Sequence, residues 1–262
     1  MSEIPRPQYN VKSFLWGLRH LRLEGRLLKM NYEELCAAGY RIETFLSCPI
    51  WYVRNIGIKL IGAHSLKEYE GCLKTKCLDL REAPIIRRNA HRSLRNPSFQ
   101  LDTDFLIGCL DDPYWEARAE ALQTLSEISE PSHDLTAKLI ESLMNVKTGS
   151  LREQNFEVLM HYVAALGTVG TPPRALEGLS VLALHPNWLV RAQSAIALNH
   201  LSHRYPEQVD ESRIIVEAIE PHSHGMQPVF PLKKILAQVA QSAEHSSSPS
   251  LPFIDPARGW QL

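Results

Sequence analysis

Three arginines at helical spacing are the side chains of this sequence that are best suited to binding. Arg88, Arg92 and Arg95 lie four and three residues apart, so they share one side of a helix predicted over residues 85–95. The apolar side of that helix is formed by Ile86, Ala90 and Leu94. A guanidinium group binds carboxylate or phosphate through two parallel hydrogen bonds. We therefore expect the three arginines to contact an acidic partner, with a solvated helix face as the alternative.

Motifs for catalysis and phosphate binding are missing from the sequence. It contains no glycine-rich phosphate loop, no Gly-x-Ser-x-Gly turn and no His-Glu-x-x-His helix. His222 and His224 lie in a loop without a carboxylate or thiol nearby in sequence, and His200 and His203 would need two further ligands to hold a metal. We predict that the protein is not an enzyme and has no metal or cofactor.

Cysteine usage and hydropathy favour the cytoplasm. The five cysteines are odd in number, so a disulfide framework is not expected, and Cys72 and Cys77 have no second pair of metal ligands beside them. No apolar run approaches the roughly 18 residues that a membrane-spanning helix needs. Residues 1–9 lack the apolar stretch of a signal peptide. We predict a cytoplasmic protein without a transmembrane segment.

A hexapeptide with tryptophan and arginine at fixed positions occurs three times and indicates an internal repeat. It reads PIWYVR at residues 49–54, PYWEAR at 113–118 and PNWLVR at 186–191. Each arginine is followed by a small residue three positions later and an aliphatic residue seven positions later, and Arg87 has the same neighbours in a degenerate copy. The four arginines are 33, 31 and 73 residues apart. The last interval should hold two repeats, with the missing copy in a helix that ends at residues 164–167.

Each copy has the features of a helix start. Proline is favoured at the first helical position, and Asp112 can cap the amides that follow Pro113. Segments with the apolar period of a helix lie between the copies, over residues 66–78, 103–110, 135–144, 174–184 and 211–219. No segment has the alternating pattern of a strand, so the sequence predicts an all-α chain with essentially no sheet.

This repeat resembles the HEAT-repeat family. The resemblance rests on Asp-Pro-x-x-x-x-Arg and Val-Arg-x-x-Ala-x-x-x-Leu, which stand within residues 112–125 and 190–198, and it covers roughly residues 40–240. It implies a right-handed, armadillo-like alpha-solenoid of about five to six stacked helix pairs, whose second helices line the concave side. It also implies that the repeat arginines brace the turns; these are Arg54, Arg87, Arg118 and Arg191. We expect each repeat tryptophan to be at least half buried between helices; these are Trp51, Trp115 and Trp188.

The two ends differ from this array. Residues 1–39 are predicted to be a basic helical cap, with one helix over 11–30 and a second over 32–38. The apolar side of the first helix is formed by Phe14, Leu18, Leu21 and Leu28. A basic amphipathic helix can also lie on a membrane or on an acidic partner. Residues 241–262 are a Ser/Pro-rich tail with a short apolar motif, which either folds back or serves as a peptide for another protein.

Charge is distributed unevenly along the chain. Residues 1–100 contain 17 Lys and Arg against 9 Asp and Glu, and residues 101–262 contain 11 against 20, although the net charge of the whole chain is only −1. The basic first part favours an acidic partner. The corresponding helix of the next repeat copy is acidic, with Glu116, Glu120 and Glu127, so the array changes sign along its length and a long uniform nucleic-acid groove is not expected.

Three functions are compatible with these features. The HEAT resemblance and the missing catalytic motifs favour a scaffold or adaptor that binds an acidic protein along a concave surface. The basic first part is also compatible with nucleic-acid binding, as in the DNA glycosylases with a HEAT-like fold. A lyase or chaperone factor similar to the HEAT-like phycobilin lyases is the third, and no residue of this sequence singles it out.

Overall fold

The computed structural model describes residues 21–145, 147–219, 221 and 232–241, and most of these residues are helical. This agrees with the predicted all-α class. The chain divides into two compact units, Met1–Phe99 and Gln100–Leu262. The predictions for Phe14 and Leu18, for the His222 and His224 pair, and for the tail over 242–262 lie outside the described residues.

The first unit contains short and medium-length helices. Residues 21–27 are helical (α1), and they are followed by α2 (Tyr32–Ala37), α3 (Ile42–Leu46), α4 (Trp51–Ala63), α5 (Glu70–Leu78) and α6 (Pro84–Leu94). Asn31 starts α2 with a capping box, in which the Glu34 amide donates to the Asn31 side chain at 2.8 Å and the Asn31 amide donates to the Glu34 carboxylate at 2.9 Å. The α4 helix packs against α3 and α6, and α6 also packs against α5.

The second unit continues with helices at almost all of the predicted segments. They are α7 (Thr103–Gly108), α8 (Trp115–Ile128), α9 (His133–Leu143), α10 (Phe156–Val169), α11 (Arg174–Ala183), α12 (Trp188–Arg204), α13 (Val209–Ile219) and α14 (Leu232–Gln241). The α10 helix contains the missing repeat copy, but it ends at Val169. A hairpin of β1 (Met144–Asn145) and β2 (Ser150–Leu151) was not predicted, because two-residue strands are too short to show an alternating pattern.

Helices of the second unit pack in two alternating rows. In one row α7 contacts α9, α9 contacts α11 and α11 contacts α13; in the other row α8 contacts α10, α10 contacts α12 and α12 contacts α14. Successive helices of the two rows also contact each other, as α9 and α10 do. The core lies between the rows, where Val163 and Leu166 of α10 and Ala195 and Leu198 of α12 expose none of their surface.

Long-range polar contacts recur at one sequence separation. Many of them join residues 34 to 36 positions apart, which is close to the spacing of the repeat arginines. The pairs are Asn89 with Asn55, Ser93 with Ile58, Asn96 with Gly62, Lys138 with Asp104, Arg118 with Glu153, Thr136 with Thr171, and Arg204 with Thr168. Such spacing is typical of chains in which each helix pair contacts the next pair.

The repeat proline lies outside its helix in three copies, which corrects the prediction that it occupies the first helical position. The α4, α8 and α12 helices each begin at the repeat tryptophan, one residue after the N-cap, so the prolines precede the N-cap; they are Pro49, Pro113 and Pro186. The Tyr114 amide donates to the Asp112 carboxylate at 2.7 Å, so Asp112 orders the turn rather than capping the helix. In the degenerate copy, by contrast, Pro84 is the first residue of α6.

The repeat arginines donate hydrogen bonds to carbonyl groups of the turn that precedes their helix. Nη1 of Arg54, Arg118 and Arg191 reaches the carbonyl oxygen six positions upstream, at 2.7, 2.8 and 2.9 Å respectively. Arg87 Nη1 reaches the carbonyl of Glu82, five positions upstream, at 2.7 Å. Turn and helix-end carbonyls have no partner within a helix, and the guanidinium supplies the missing donors.

The repeat tryptophans are partly buried. Trp51 exposes 47% of its surface and its ring meets the ring of Tyr52 edge-on, with centroids 5.8 Å apart. Trp115 and Trp188 are more buried than Trp51, yet neither belongs to the fully buried core. Replacement of one of them by Ala should therefore cost less than the roughly 3–5 kcal/mol that is typical of a fully buried tryptophan.

Leu21 lies on a different side from the one predicted. It was assigned to the apolar side of the first helix but is 66% exposed, while Leu27, in the last turn of α1, exposes none of its surface. Glu120, one of the three glutamates of the acidic helix, is only 6% exposed, since it lies on the side of α8 that also buries Ala117 and Ala121.

We predict that Arg118→Gln lowers the free energy of unfolding by about 2 kcal/mol. Arg118 donates to the Asp112 carbonyl and also to both carboxylate oxygens of Glu153, at 2.8 and 3.1 Å, and both side chains of this ion pair are largely buried. Loss of one partner of such a pair leaves a poorly solvated charge, which is the main cost. Urea denaturation monitored by circular dichroism measures this effect.

Arg213→Gln is the matched control, because Arg213 pairs with Asp210 in the same unit but remains 46% exposed. Exposed pairs contribute about 0–1 kcal/mol. Equal destabilisation by the two substitutions would contradict a turn-bracing role for Arg118.

Candidate functional site

The arginine stripe, defined as Arg88, Arg92 and Arg95, forms the accessible side of α6. Arg92 is exposed and Arg88 and Arg95 are partly exposed, whereas every other residue within 86–94 is buried. The predicted apolar side is buried as expected, with exposures of 0% for Ile86, 0% for Ala90 and 1% for Leu94. Because α6 packs against both α4 and α5, the stripe is the side of this helix that these two helices leave uncovered.

Hydrogen bonds between α4 and α6 fix the rotation of α6. The Asn89 amide donates to the Asn55 side chain at 2.7 Å, and the Ser93 hydroxyl donates to the carbonyl of Ile58 at 2.9 Å. The Asn96 side chain, just after α6, donates to the carbonyl of Gly62 at 3.0 Å. These contacts recur at about one helical turn, so α6 cannot rotate and its arginines keep their direction.

Gly62 permits the close approach of these two helices. A Cβ atom at this position would lie 2.6 Å from the Ser93 hydroxyl oxygen and 2.8 Å from the Ser93 Cα atom. Any larger residue would force α4 and α6 apart, because the Ser93 backbone cannot give way as a flexible side chain can. The position of the stripe therefore depends on a glycine in the neighbouring helix.

A polar cleft of about 450 Å³ lies beside the stripe in the first unit. Residues of α1, α4 and α6 and of the turn after α6 line it; they include Glu24, Lys59, Gly62, Asn89, Arg92 and Asn96. The Lys59 ammonium donates to the Glu24 carboxylate at 2.6 Å, so much of its charge is neutralised within the cleft. Arg92, which belongs to the stripe, lines the same cleft as the neutral amide groups of Asn89 and Asn96.

The chemistry of this surface suits a carboxylate or another oxyanion. Guanidinium forks bind such groups in a bidentate fashion, and amide side chains add neutral donors. The sequence analysis found the three arginines but missed Lys59, Asn89 and Asn96. Asn55 and Asn89 lie 34 positions apart, at nearly equivalent places in successive repeats. This spacing could have predicted the hydrogen bond between them.

Arg88 takes part in the hydrogen bonds that hold α6 in place. Its Nε and Nη2 atoms donate to the side-chain oxygen of Asn89, at 3.4 and 3.3 Å. That amide also holds Asn55 of α4. Replacement of Arg88 therefore also disturbs the contact between α4 and α6.

A buried carboxylate anchors the N-terminal end of α6. Glu82 is 7% exposed and accepts hydrogen bonds from Arg54 Nε at 3.1 Å and from Lys76 Nζ at 2.7 Å. Burial by itself raises the pKa of Glu82, but the hydrogen bonds from Arg54, Lys76 and the Ala83 amide outweigh it and lower the pKa to about 2. The backbone carbonyl of Glu82 also accepts a hydrogen bond from Arg87 of α6, so Glu82 links α4, α5 and α6.

Spacing and burial limit the metal-binding and thiol chemistry of the described residues. No group of three or more His, Cys, Asp or Glu side chains in this part of the chain is arranged to hold a metal ion. Burial raises the pKa of the Cys109 thiol to about 12, with a smaller contribution from Asp112, and burial also raises the pKa of Cys72. Both thiols stay protonated and are poor nucleophiles at neutral pH. Among the helices of the described segments, none is long and apolar enough to cross a membrane.

We predict that Glu82→Gln lowers the free energy of unfolding by about 3 kcal/mol at pH 7, which corresponds to the shift of the pKa from 4.5 to about 2. A carboxylate with a lowered pKa in the folded state stabilises the protein above the pKa of its unfolded state. That stabilisation is lost as the pH falls through the folded pKa. The difference between wild type and Glu82→Gln should therefore shrink between pH 4.5 and pH 2.

Glu68→Gln, at an exposed position of the same unit, is the control and should change stability by less than about 0.5 kcal/mol. Chemical denaturation at several pH values gives both curves. A Glu82→Gln cost that is independent of pH over this range would contradict the ionised, hydrogen-bonded state of Glu82.

Comparison with known protein-family models gives no match for this chain, and a search of curated proteins gives none either. The HEAT resemblance therefore stays a prediction that rests on the repeat itself.

Proposed function

We propose that this chain is a non-enzymatic scaffold, a right-handed alpha-solenoid of HEAT-like repeats that binds an acidic face of another protein along its second helices. The observation that carries the proposal is the arginine stripe on α6, whose other sides are buried and whose rotation is fixed by hydrogen bonds to α4. A rigid row of guanidinium groups favours a partner with carboxylates at matching spacing.

Two observations support the repeat architecture within this proposal. Polar contacts recur at separations of 34 to 36 residues, and the helices of the second unit pack in two alternating rows. In such repeats the second helix of each pair forms the inner row, to which α4 and α6 would belong. The stripe would then face the surface on which solenoid proteins hold their partners.

A nucleic-acid partner is the second candidate, because the basic residues are concentrated in the first unit. Residues 1–100 carry 17 Lys and Arg against 9 Asp and Glu. Several of these cations are paired within the unit, however, as Arg54 and Lys76 are with Glu82 and Lys59 is with Glu24. The stripe is a short row on one helix, and this favours an acidic protein surface over a long phosphate backbone.

The test is capture of partners from cells by the tagged full-length chain, with and without nuclease treatment. Survival of the captured protein after nuclease treatment supports a protein scaffold. Loss of all captured material after nuclease treatment would overturn it in favour of nucleic-acid binding.

We predict that the triple change of Arg88, Arg92 and Arg95 to Gln reduces the association rate with the captured partner by about tenfold at low salt, with a smaller effect at high salt. Rim charges act mainly through electrostatic steering, so the dissociation rate should change less than the association rate. Surface plasmon resonance at several salt concentrations measures both rates.

A double variant, Arg92→Gln with Arg95→Gln, retains the hydrogen bonds of Arg88 to Asn89, and its urea denaturation midpoint, measured in parallel, separates binding from any effect on folding. The matched control removes three exposed cations of the same unit outside α6, by changing Arg41, Lys67 and Arg81 to Gln. Equal salt-dependent losses in the control and in the stripe variants would show that total charge, and not the stripe, directs binding.

A further inference from the structure

A second cleft, of about 420 Å³, lies in the second unit on the row formed by α9, α11 and α13. It is lined at its edge by His133, at the start of α9, and along its walls by Thr171, Pro172, Pro173, Tyr205, Glu207 and Glu211. Its volume falls within the roughly 300–1,000 Å³ that is usual for ligand sites. None of the proposed contacts of the arginine stripe involves this cleft.

One wall of the cleft is held rigid by hydroxyl groups. Thr171 is 6% exposed; its amide donates to the Thr136 hydroxyl at 2.9 Å, and its own hydroxyl lies 3.1 Å from that of Thr136. The Thr171 hydroxyl also lies 3.0 Å from Nδ1 of His133. The two prolines that follow Thr171 therefore form a fixed apolar part of the lining, to which the Tyr205 side chain also belongs.

Arg204, the cation next to the cleft in sequence, is bound elsewhere. Its guanidinium donates to the carbonyls of Thr168 and Gly170, and it lies 5.0 Å from the centre of the Tyr205 ring. These contacts hold the guanidinium against Tyr205 and the two carbonyls, and it makes no ion pair with Glu207 or Glu211. Arg213, a little further along, pairs with Asp210 at 3.0 Å.

Glu207 and Glu211 are the charged groups that the cleft offers to a ligand. Glu207 lies in the short turn Pro206–Gln208 and Glu211 in the first turn of α13; both are exposed, and neither makes an ion pair or side-chain hydrogen bond with any residue of the described part of the chain. They belong to the acidic part of the sequence, in which residues 101–262 carry 11 Lys and Arg against 20 Asp and Glu. Their carboxylates are thus open to an incoming cation.

We propose that this cleft binds a lysine or arginine side chain of a peptide segment. The charged end lies between the Glu207 and Glu211 carboxylates, and the aliphatic stem lies against Pro172, Pro173 and Tyr205. Long basic side chains combine an apolar stem with a charged end, which matches a cleft with apolar walls and an acidic rim. A bare divalent cation fits less well, because no group of three or more His, Cys, Asp or Glu in the described segments is arranged to hold one.

A free aliphatic diamine carries the same ammonium group as a lysine side chain. The test therefore compares binding of peptides with binding of a diamine. Binding to the full chain is measured by isothermal titration at pH 7.5 with four probes: blocked tripeptides Gly-Lys-Gly, Gly-Arg-Gly and Gly-Gln-Gly, and 1,4-diaminobutane. We expect the lysine and arginine peptides to bind at one site with a Kd on the order of 1 mM or below, and the glutamine peptide to show no binding.

Changing Glu207 and Glu211 together to Gln should weaken binding of the lysine and arginine peptides by about tenfold or more, with an unchanged thermal midpoint because both positions are exposed. The matched control changes Glu141 and Glu177 to Gln, two exposed acids of the same unit outside the cleft, and should leave binding unchanged.

Three results would overturn the proposal. Equal weakening by the control would assign the effect to net charge, and binding of the glutamine peptide would remove the role of the cation. Tighter binding of 1,4-diaminobutane than of either charged peptide would assign the site to a free amine. Because all substitutions lie in the second unit, failure here leaves the test of the arginine stripe intact.

Discussion

The hydrogen bonds from repeat arginines to turn carbonyls are the interaction on which the rest of this structure depends. A helical pair reverses the chain in a few residues, and such a turn leaves carbonyl groups that no helix can satisfy. Nη1 of Arg54, Arg118 and Arg191 meets this requirement in the same way, six residues after the carbonyl it binds. In two of these cases the rest of the guanidinium reaches a glutamate further along the chain, Glu82 or Glu153. The arginine thus closes its own turn and ties it to a later segment.

This arrangement has a consequence for the surfaces that remain. When one side of a helix packs on its own pair and another side on the next pair, a narrow stripe is left to solvent. On α6 that stripe consists of arginines, and the buried Asn55–Asn89 and Ser93–Ile58 contacts prevent it from turning inward. The arginine stripe is therefore a product of the packing: side chains that could not be buried lie in a line because the packed side chains are periodic.

Local features of this fold could be predicted from sequence, and features that depend on distant segments could not. The helices and the register of the arginines follow from short-range periodicity, which is why α6 and its buried side agree with the prediction. The position of proline before the N-cap could not be read from the hexapeptide, because the same residues fit either position. The burial of Glu120 and the exposure of Leu21 depend on which neighbouring segment covers them. The two clefts bring together residues up to about two repeats apart, and no local pattern marks them.

The electrostatics of the chain are governed by local groups and not by its net charge. A net charge of −1 would predict only weak electrostatic attraction to charged partners. The first 100 residues are nevertheless strongly basic and the remainder strongly acidic. At physiological salt the field of an exposed charge falls off over about 8 Å, so a partner senses the few groups nearest to it. Within the first unit, Glu24 pairs with Lys59, and Glu82 pairs with Arg54 and Lys76. Within the second unit, Arg118 is bound to Glu153 and Arg204 to backbone carbonyls, and neither cation pairs with Glu207 or Glu211. Internal pairing therefore determines how each charge acts, and the formal net charge does not describe it.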